Sequence, residues 1–516
     1  MKASEYNISS EKFVFVNDKN KLKDKELSTK PVGYFKDAFN RFKRNKASIV
    51  AAIIIAILVL YAVIAPIISP YKVSTNDTYF QYTMPKNSLF ANMGINFWDG
   101  CSKEELNEQM YTYYSAIGQE TGQEVIKNGK YKIVIRENLG KKKIKYYQVR
   151  LDSYHKAGVV YKNISLEEYE LLQKYQNETN IQVIYPITER SLRPNTPQDE
   201  NDANFWYLTE EKNGKITPVL DSNKKLQNIY KSYTGADGYN SIRIDGDNNK
   251  YDYALKNQTG YQVRVNYYEY YIFNHSYVLQ DGIDKPSFLF GTTNSGQDIF
   301  TCLASGARFS FILAIVVATV NLFVGAIYGA IEGYYGGKID LLMERFVDVL
   351  SAVPFMIVIT LLKYHMPGSN QVLVLFIAFF LTGWIGMAGR TRMQFYRFKN
   401  QEYVLAARTL GASDKRIMFK HIFPNALGTL ITSCVLIIPS MIFSETSLTY
   451  LNIINLNTGD RTSVGTLLAN AQPFLVSYPH MVMFPAAFIS LLMLSFNLFG
   501  NGLRDAFNPS LRGTED

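Results

Sequence analysis

Apolar and polar positions divide this chain into six apolar runs and one long mixed block. The first run, 47–70, carries no charge and has the length of a helix crossing a hydrocarbon core of about 30 Å. Further runs at 309–331, 346–362, 372–388, 426–443 and 481–499 predict five more spans. Gly325, Gly329 and Gly333 recur at four-residue intervals. They put small residues on one helix face, where a second helix can approach closely in lipid. The third run contains Asp348 and Pro354. Ahead of the first run, Tyr34, Phe35, Ala38, Phe39 and Phe42 recur at helical spacing among basic residues. That pattern predicts a helix lying in the headgroup region.

The block 71–289 has a different texture. Residues 132–136 and 144–151 alternate like strands around a Gly-containing turn and predict a hairpin. Ser165, three residues before Glu168, predicts a capping box on a helix. Residues 241–245 and 261–267 predict further strands, and Tyr is dense from Tyr261 to Tyr277. The predicted fold is an all-α polytopic membrane protein of six transmembrane helices with an inserted extracytoplasmic α+β domain. Its parts are an N-terminal segment 1–46, a first span 47–70, the insert 71–289, a five-span unit 290–504 and a tail 505–516.

Charge orients these parts. The block 71–289 holds 27 basic and 27 acidic residues, so the whole net charge of +9 lies outside it. The excess flanks the spans: Arg41, Lys43, Arg44 and Lys46 before the first, and Arg390, Arg392, Arg397 and Lys399 after the fourth. The positive-inside tendency then places both termini and the loop 390–425 in the cytoplasm and the insert outside. Topology accounts for the basic excess, so nucleic acid is not expected as a partner, whereas membrane lipid is. The three cysteines, Cys101, Cys302 and Cys434, suggest no disulfide framework or metal site. The polar N-terminus lacks a cleavable signal pattern, which makes the first span a permanent anchor.

Glu332, Arg345, Asp348 and Glu445 lie in or beside spans, where charge is costly and faces the bundle interior or water. Arg345, Asp348 and Glu445 are candidates for a substrate path. The alternative is structural pairing, with Asp348 or Asp340 close to Arg345 along a helix.

The segment from Glu402 to Asn425 is charged and helix-forming, with Gly411 at its middle and Pro424 near its end. Gly411 allows a sharp turn, and Pro424 suits the start of the next helix. Residue types alone also fit a basic amphipathic helix on the membrane surface. The order is more specific: Ala406 and Ala407, then Gly411, then Pro424 thirteen positions on. This resembles the "EAA" loop of bacterial ABC-importer permeases. With His421, Pro424 and Asn425 it resembles the C-type permeases of oligopeptide, dipeptide and nickel importers. Leu405 departs from the pattern, where an acidic residue is usual.

Other segments fit the same resemblance in order: 290–298 with 306–310, 333–337 with Asp340, Arg345, Asp348 and Pro354, then 445–451 and 496–509. Thr293 and Gln297 replace the family's usual Asp and Arg. The block 71–289 is the main departure, since the family's loop there is much shorter.

The resemblance implies a type I ABC-importer fold in a bacterial cytoplasmic membrane. It implies a heterodimer with a B-type permease, two ABC ATPase subunits inside, and a peptide-binding lipoprotein outside. Glu402, Ala406, Ala407, Arg408, Gly411, Ala412, Ser413, His421 and Pro424 would form the ATPase-coupling surface. The chain has no Walker A motif, so ATP and Mg would be used by partner chains. No catalytic residue, metal or cofactor is expected in this chain. Peptide is the expected substrate. Nickel or another small solute is the alternative, disfavoured because His365, His421 and His480 form no pair at helical spacing. A membrane-anchored sensor or adhesion protein would explain the large insert, but not six spans or the loop.

Overall fold

The computed structural model describes residues 34–87, 89–90, 98–137, 143–193, 197–212, 215–235, 238–239, 250–456 and 462–507. Helix α1 (Tyr34–Arg44) leads into α2 (Lys46–Ile68). Asn45 caps α2, its side chain accepting from the Ser48 amide. Leu58 and Ala62 of α2 pack on Leu303, Ala307 and Phe311. Helix α1 does not simply lie free on a surface, because Phe42 meets Phe499 edge-on at 5.3 Å. Phe39 stays exposed beside it, available to lipid.

The described part of the block after α2 folds into two main sheets, each with a helix on it, and a two-stranded ribbon. Strands β1 (Cys101–Leu106), β2 (Ile126–Glu137) and β3 (Lys143–Asp152) form an antiparallel sheet in the order β1-β3-β2, with α3 (Glu108–Thr121) between β1 and β2 in sequence. The expected hairpin is present, with Lys132 opposite Gln148, while its turn lies outside the described residues. Leu106, Ile117, Val149 and Leu151 fill the space under α3.

Strands β4 (Val159–Ile164) and β5 (Ile184–Tyr185) begin the second sheet. A separate ribbon then pairs β6 (Thr209–Lys212) with β7 (Lys215–Pro218). The second sheet is completed by β8 (Gly238–Tyr239), β9 (Ala254–Lys256) and β10 (Tyr261–Asn266). Its order is β4-β10-β9-β8, with β5 also on β10. Helix α4 (Leu166–Thr179) covers this sheet, and its Ser165 cap accepts from the Glu168 amide at 3.1 Å. The expected strand 241–245 falls outside the described residues. The tyrosines that follow Tyr261 serve this core. Tyr261, Tyr267, Tyr270 and Tyr271, the last three on α5 (Tyr267–Ile272), are buried with Phe80, Leu172, Val263 and Phe273.

One buried ion pair links the two sheets. Arg264 of β10 donates from both terminal nitrogens to Glu120 of α3 at 2.9 Å, and also to the Ala203 carbonyl. Burial pushes the Glu120 carboxyl above its ordinary range, and Arg264 opposes that shift.

The two ends of the block meet at a neck. The Asp77 amide bonds to the Ser295 carbonyl, Tyr82 to Thr293, and Lys86 to Phe288, while Thr292 donates back to Thr83. Gly296 has φ +75°, and a Cβ there would sit 1.8 Å from the Asp77 carbonyl oxygen. Thr293 and Gln297 are paired in this neck. The Gln297 amide donates to the Thr293 hydroxyl, and the Gln297 side chain donates to the Val73 carbonyl at 2.6 Å.

Beyond the neck the chain is helical. Helix α6 (Ile299–Tyr335) has 37 residues, about 55 Å at 1.5 Å per residue, well beyond one hydrocarbon core. Asp298 caps it, accepting from the Thr301 amide and hydroxyl. Then come α7 (Gly337–Ser351), α8 (Phe355–His365), α9 (Gln371–Gly383), α10 (Ile385–Phe398), α11 (Glu402–Thr409), α12 (Phe423–Tyr450), α13 (Val464–Ala471) and α14 (His480–Phe507).

Among the described residues, five helical stretches are long and apolar enough to cross a membrane: Lys46–Ile68, Ile299–Tyr335, Gln371–Phe398, Asp414–Tyr450 and His480–Phe507. The third expected span, 346–362, is not one straight helix. It is split between α7 and α8, which bend by 72°. Pro354 explains the break, since it has no N–H to donate and disfavours helical geometry at Val353.

The glycine stripe predicted on α6 meets α10. A Cβ at Gly325 would lie 2.6 Å from the Trp384 carbonyl oxygen, and one at Gly329 would lie 2.1 Å from that of Ala388. One at Gly333 would lie 2.7 Å from the Phe395 Cβ. By contrast, a Cβ at Gly386 meets nothing within 4 Å. Gly329→Ala is therefore expected to lower the stability of the solubilised chain by about 1–3 kcal/mol through overpacking. Gly386→Ala is expected to stay within about 0.5 kcal/mol of the parent. Thermal unfolding in detergent, compared for the two variants, checks this.

Candidate functional site

The segment following α10 is built from three pieces. Helix α11 carries Glu402 to Thr409, a turn follows, and Asp414–Arg416 with a π-helical turn Ile417–Ile422 runs into α12. Gly411 takes φ +78° with open space where a side chain would be. Its amide closes on the Arg408 carbonyl at 3.0 Å, and the Ala412 amide closes on that of Ala407. A glycine suits this turn because left-handed geometry costs other residues roughly 1–2 kcal/mol. Pro424 stands in the first turn of α12, directly after the π-helical turn.

The segment has two faces. Inward, Val404, Ile417, Met418 and Ile422 are buried with Ala330 and Tyr334 of α6 and Phe395 of α10. Outward, Leu405, Ala406, Leu410 and Gly411 are exposed, Leu410 to 88%. Ala407 turns inward and is buried, so the small-residue surface is narrower than expected and consists of Ala406 and Gly411, which directly follow the exposed Leu405 and Leu410. Glu402, Arg408 and Ser413 are exposed, and Ala412 and His421 are half-buried. Tyr403 accepts a hydrogen bond from Asn425 at 3.2 Å, tying α11 to the start of α12. Burial raises the Tyr403 phenol, with Asn425 acting against it.

The intramembrane charges do not converge. Arg345 pairs with Asp348 at 2.8 Å, both exposed on α7. Asp340 is engaged elsewhere, by Arg392 of α10 at 2.7 and 3.0 Å. Arg392 also lies 3.4 Å from Glu332 and 3.4 Å from Glu344, so one guanidinium gathers carboxylates from α6 and α7. In the sequence, the basic run 390–399 marks Arg392 only as a topology signal. Its partner Asp340 lies 52 residues upstream, and no local spacing reveals it. Glu445 is buried in α12 and accepts from the Ser310 hydroxyl of α6 at 2.7 Å. It faces the interior of this chain, apart from exposed Arg345 and Asp348.

Helix α7 buries no residue at all. Leu342 and Val349 are 72% and 69% exposed, and Phe346, Met356 and Ile357 continue the exposed apolar surface into α8.

Two family models match the chain. Residues 322–513 match the binding-protein-dependent transport system inner membrane component, and residues 33–85 match the N-terminal transmembrane domain of oligopeptide transport permease C. The oligopeptide transport system permease protein OppC of Bacillus subtilis is 42% identical over 232 residues, covering 44% of this chain and 75% of that protein. The dipeptide transport system permease protein DppC of the same organism is 40% identical over 228 residues, covering 43% and 69%. OppC of Escherichia coli K12 is 37% identical over 224 residues, covering 43% and 72%. Residues 86–321 fall outside both family models.

Proposed function

Because the chain belongs to the oligopeptide and dipeptide permeases of binding-protein-dependent transport systems, we propose that it is the membrane subunit of an ATP-driven peptide importer. The observation that carries the coupling role is the two-faced segment after α10. Its inward face is packed into the bundle, while Leu405, Ala406, Leu410 and Gly411 project outward, with open space beside Gly411. An ATPase subunit seated there would move the segment as a rigid body, and its packed face would pass the motion to the spans. ATP and Mg belong to that ATPase chain.

In the full reading, six spans cross the membrane, with α7 and α8 together as the bent third. Both termini and the coupling segment lie in the cytoplasm, and the insert lies outside as an α+β domain. A B-type permease would cover the exposed face of α7 and α8. The exposed charges Arg345 and Asp348 are costly to leave against lipid, which favours a protein partner on that face. Arg345 and Asp348 on that face would then line the passage between the two permeases, whereas Glu445 is structural. A binding lipoprotein would deliver peptide at the outer side, and the insert would form a folded platform beside the mouth.

Three outcomes follow. Gly411→Trp should leave the protein in the membrane and abolish peptide uptake while ATP hydrolysis continues. Uptake of a labelled peptide and phosphate release in the reconstituted complex check it, and normal uptake would remove the coupling assignment. A cysteine at Ser222 should react with an impermeant thiol reagent in intact cells, and one at Ser413 only after permeabilisation. The reverse labelling pattern refutes the topology. Replacing residues 89–286 with a short Gly/Ser linker keeps the neck and deletes the insert. This variant should still assemble with its ATPases but import peptide several-fold more slowly. Import at the parental rate would leave the platform without a role.

A further inference from the structure

The outward face of the coupling segment explains how an ATPase could hold it. Its inward face determines which helix receives the movement. The segment runs directly into α12, so α12 is the obvious recipient. Besides the Tyr403–Asn425 bond to α12, side-chain contacts lead to α6. Tyr334, one residue from the end of α6, is 7% exposed, and its hydroxyl donates to Asp414 Oδ1 at 2.6 Å. The Arg408 guanidinium lies 5.8 Å from the same ring's centroid. Val404 of α11 and Ile417 and Met418 of the π-helical turn pack in the same cluster. Both halves of the coupling segment, before and after Gly411, thus grip one aromatic ring.

Behind that ring the structure has little slack. The Lys399 ammonium donates to the Gly333 carbonyl at 3.0 Å, joining the end of α10 to the end of α6. Arg392 binds Asp340 and sits beside Glu332 and Glu344, joining α10 to α6 and α7. These part-exposed contacts tie the ends of α6, α7 and α10 to one another through a single guanidinium. Tyr334 thus stands at the end of a helix that is joined to both α7 and α10.

We propose that Tyr334 and Asp414 form the positioning contact through which the coupling segment drives α6. This deepens the coupling assignment and rests on it. Tyr334 touches neither nucleotide nor peptide; it acts by fixing where the moving segment engages the bundle.

The experiment uses the complete transporter, reconstituted with its ATPases and binding protein, and reads peptide imported per ATP hydrolysed. Tyr334→Phe keeps the ring in its cluster and removes only the hydroxyl. Asp414→Asn weakens the acceptor at an exposed position. Each should lower the ratio about three- to tenfold, the scale of one partly exposed hydrogen bond to a charged group. The double variant should fall no further than the single ones, because they remove the same contact. ATPase subunits should copurify with every variant, which separates lost coupling from lost assembly. If Gly411→Trp abolishes uptake while Tyr334→Phe and Asp414→Asn keep the parental ratio, the coupling segment stands and this contact is refuted. If Gly411→Trp itself imports normally, the coupling assignment fails first. Should Tyr334→Phe fail to accumulate, Asp414→Asn decides alone, and a parental ratio in that variant overturns the proposal.

Discussion

Backbone-to-backbone contact between α6 and α10 is the constraint on which the membrane part depends. Three glycines at four-residue spacing remove the side chains that would hold the helices apart. Their absence matters more here than in a water-soluble protein. Lipid offers apolar side chains no reason to leave it, so close packing and polar contacts must drive helix association. Once the helices touch, Arg392 of α10 comes within reach of Asp340, Glu332 and Glu344. Lys399 likewise reaches the Gly333 carbonyl. A bulky residue at Gly329 would dismantle these contacts without touching any charge.

This order of events also explains the site. The coupling segment needs a firm floor on its inner side and an open surface on its outer side. The floor is Tyr334, Phe395 and Ala330, contributed by the two helices that the glycines bring together. The π-helical turn Ile417–Ile422 adds three buried residues to the same floor before α12 begins. The outer surface is what remains: a short helix and a left-handed turn in which exposed Leu405 and Leu410 adjoin small residues.

Much of this was legible from residue order. Long uncharged runs mark spans because an unpaired polar group in lipid is prohibitive, and strand alternation marked the 132–151 hairpin for the matching reason in water. The glycine stripe was visible as a surface, though its partner was not. What stayed hidden depends on contacts far apart in sequence. Arg392 and Asp340 are 52 residues apart, and Arg264 and Glu120 are 144 apart. Ala407 could not be assigned to the inner face until the helix phase was fixed by Val404 beside it. The tyrosines after Tyr261 suit either a contact surface or a core, and only the fold places them inside. The third run reads as one span in sequence although it contains Pro354, and the 72° bend appears only in the fold.

The neck has a consequence for how such a chain can vary. Its backbone hydrogen bonds hold residues 77–86 against 288–295, so the end of α2 and the start of α6 are registered by short-range contacts. The residues between Lys86 and Phe288 are joined to the bundle by this ring, with Trp98 on Phe484 and Lys156 over Tyr478 as further contacts. Lengthening such a loop costs little, since closure entropy grows only with the logarithm of its length. The ring therefore makes this point of the chain permissive to added material, since the span ends on either side are already held together.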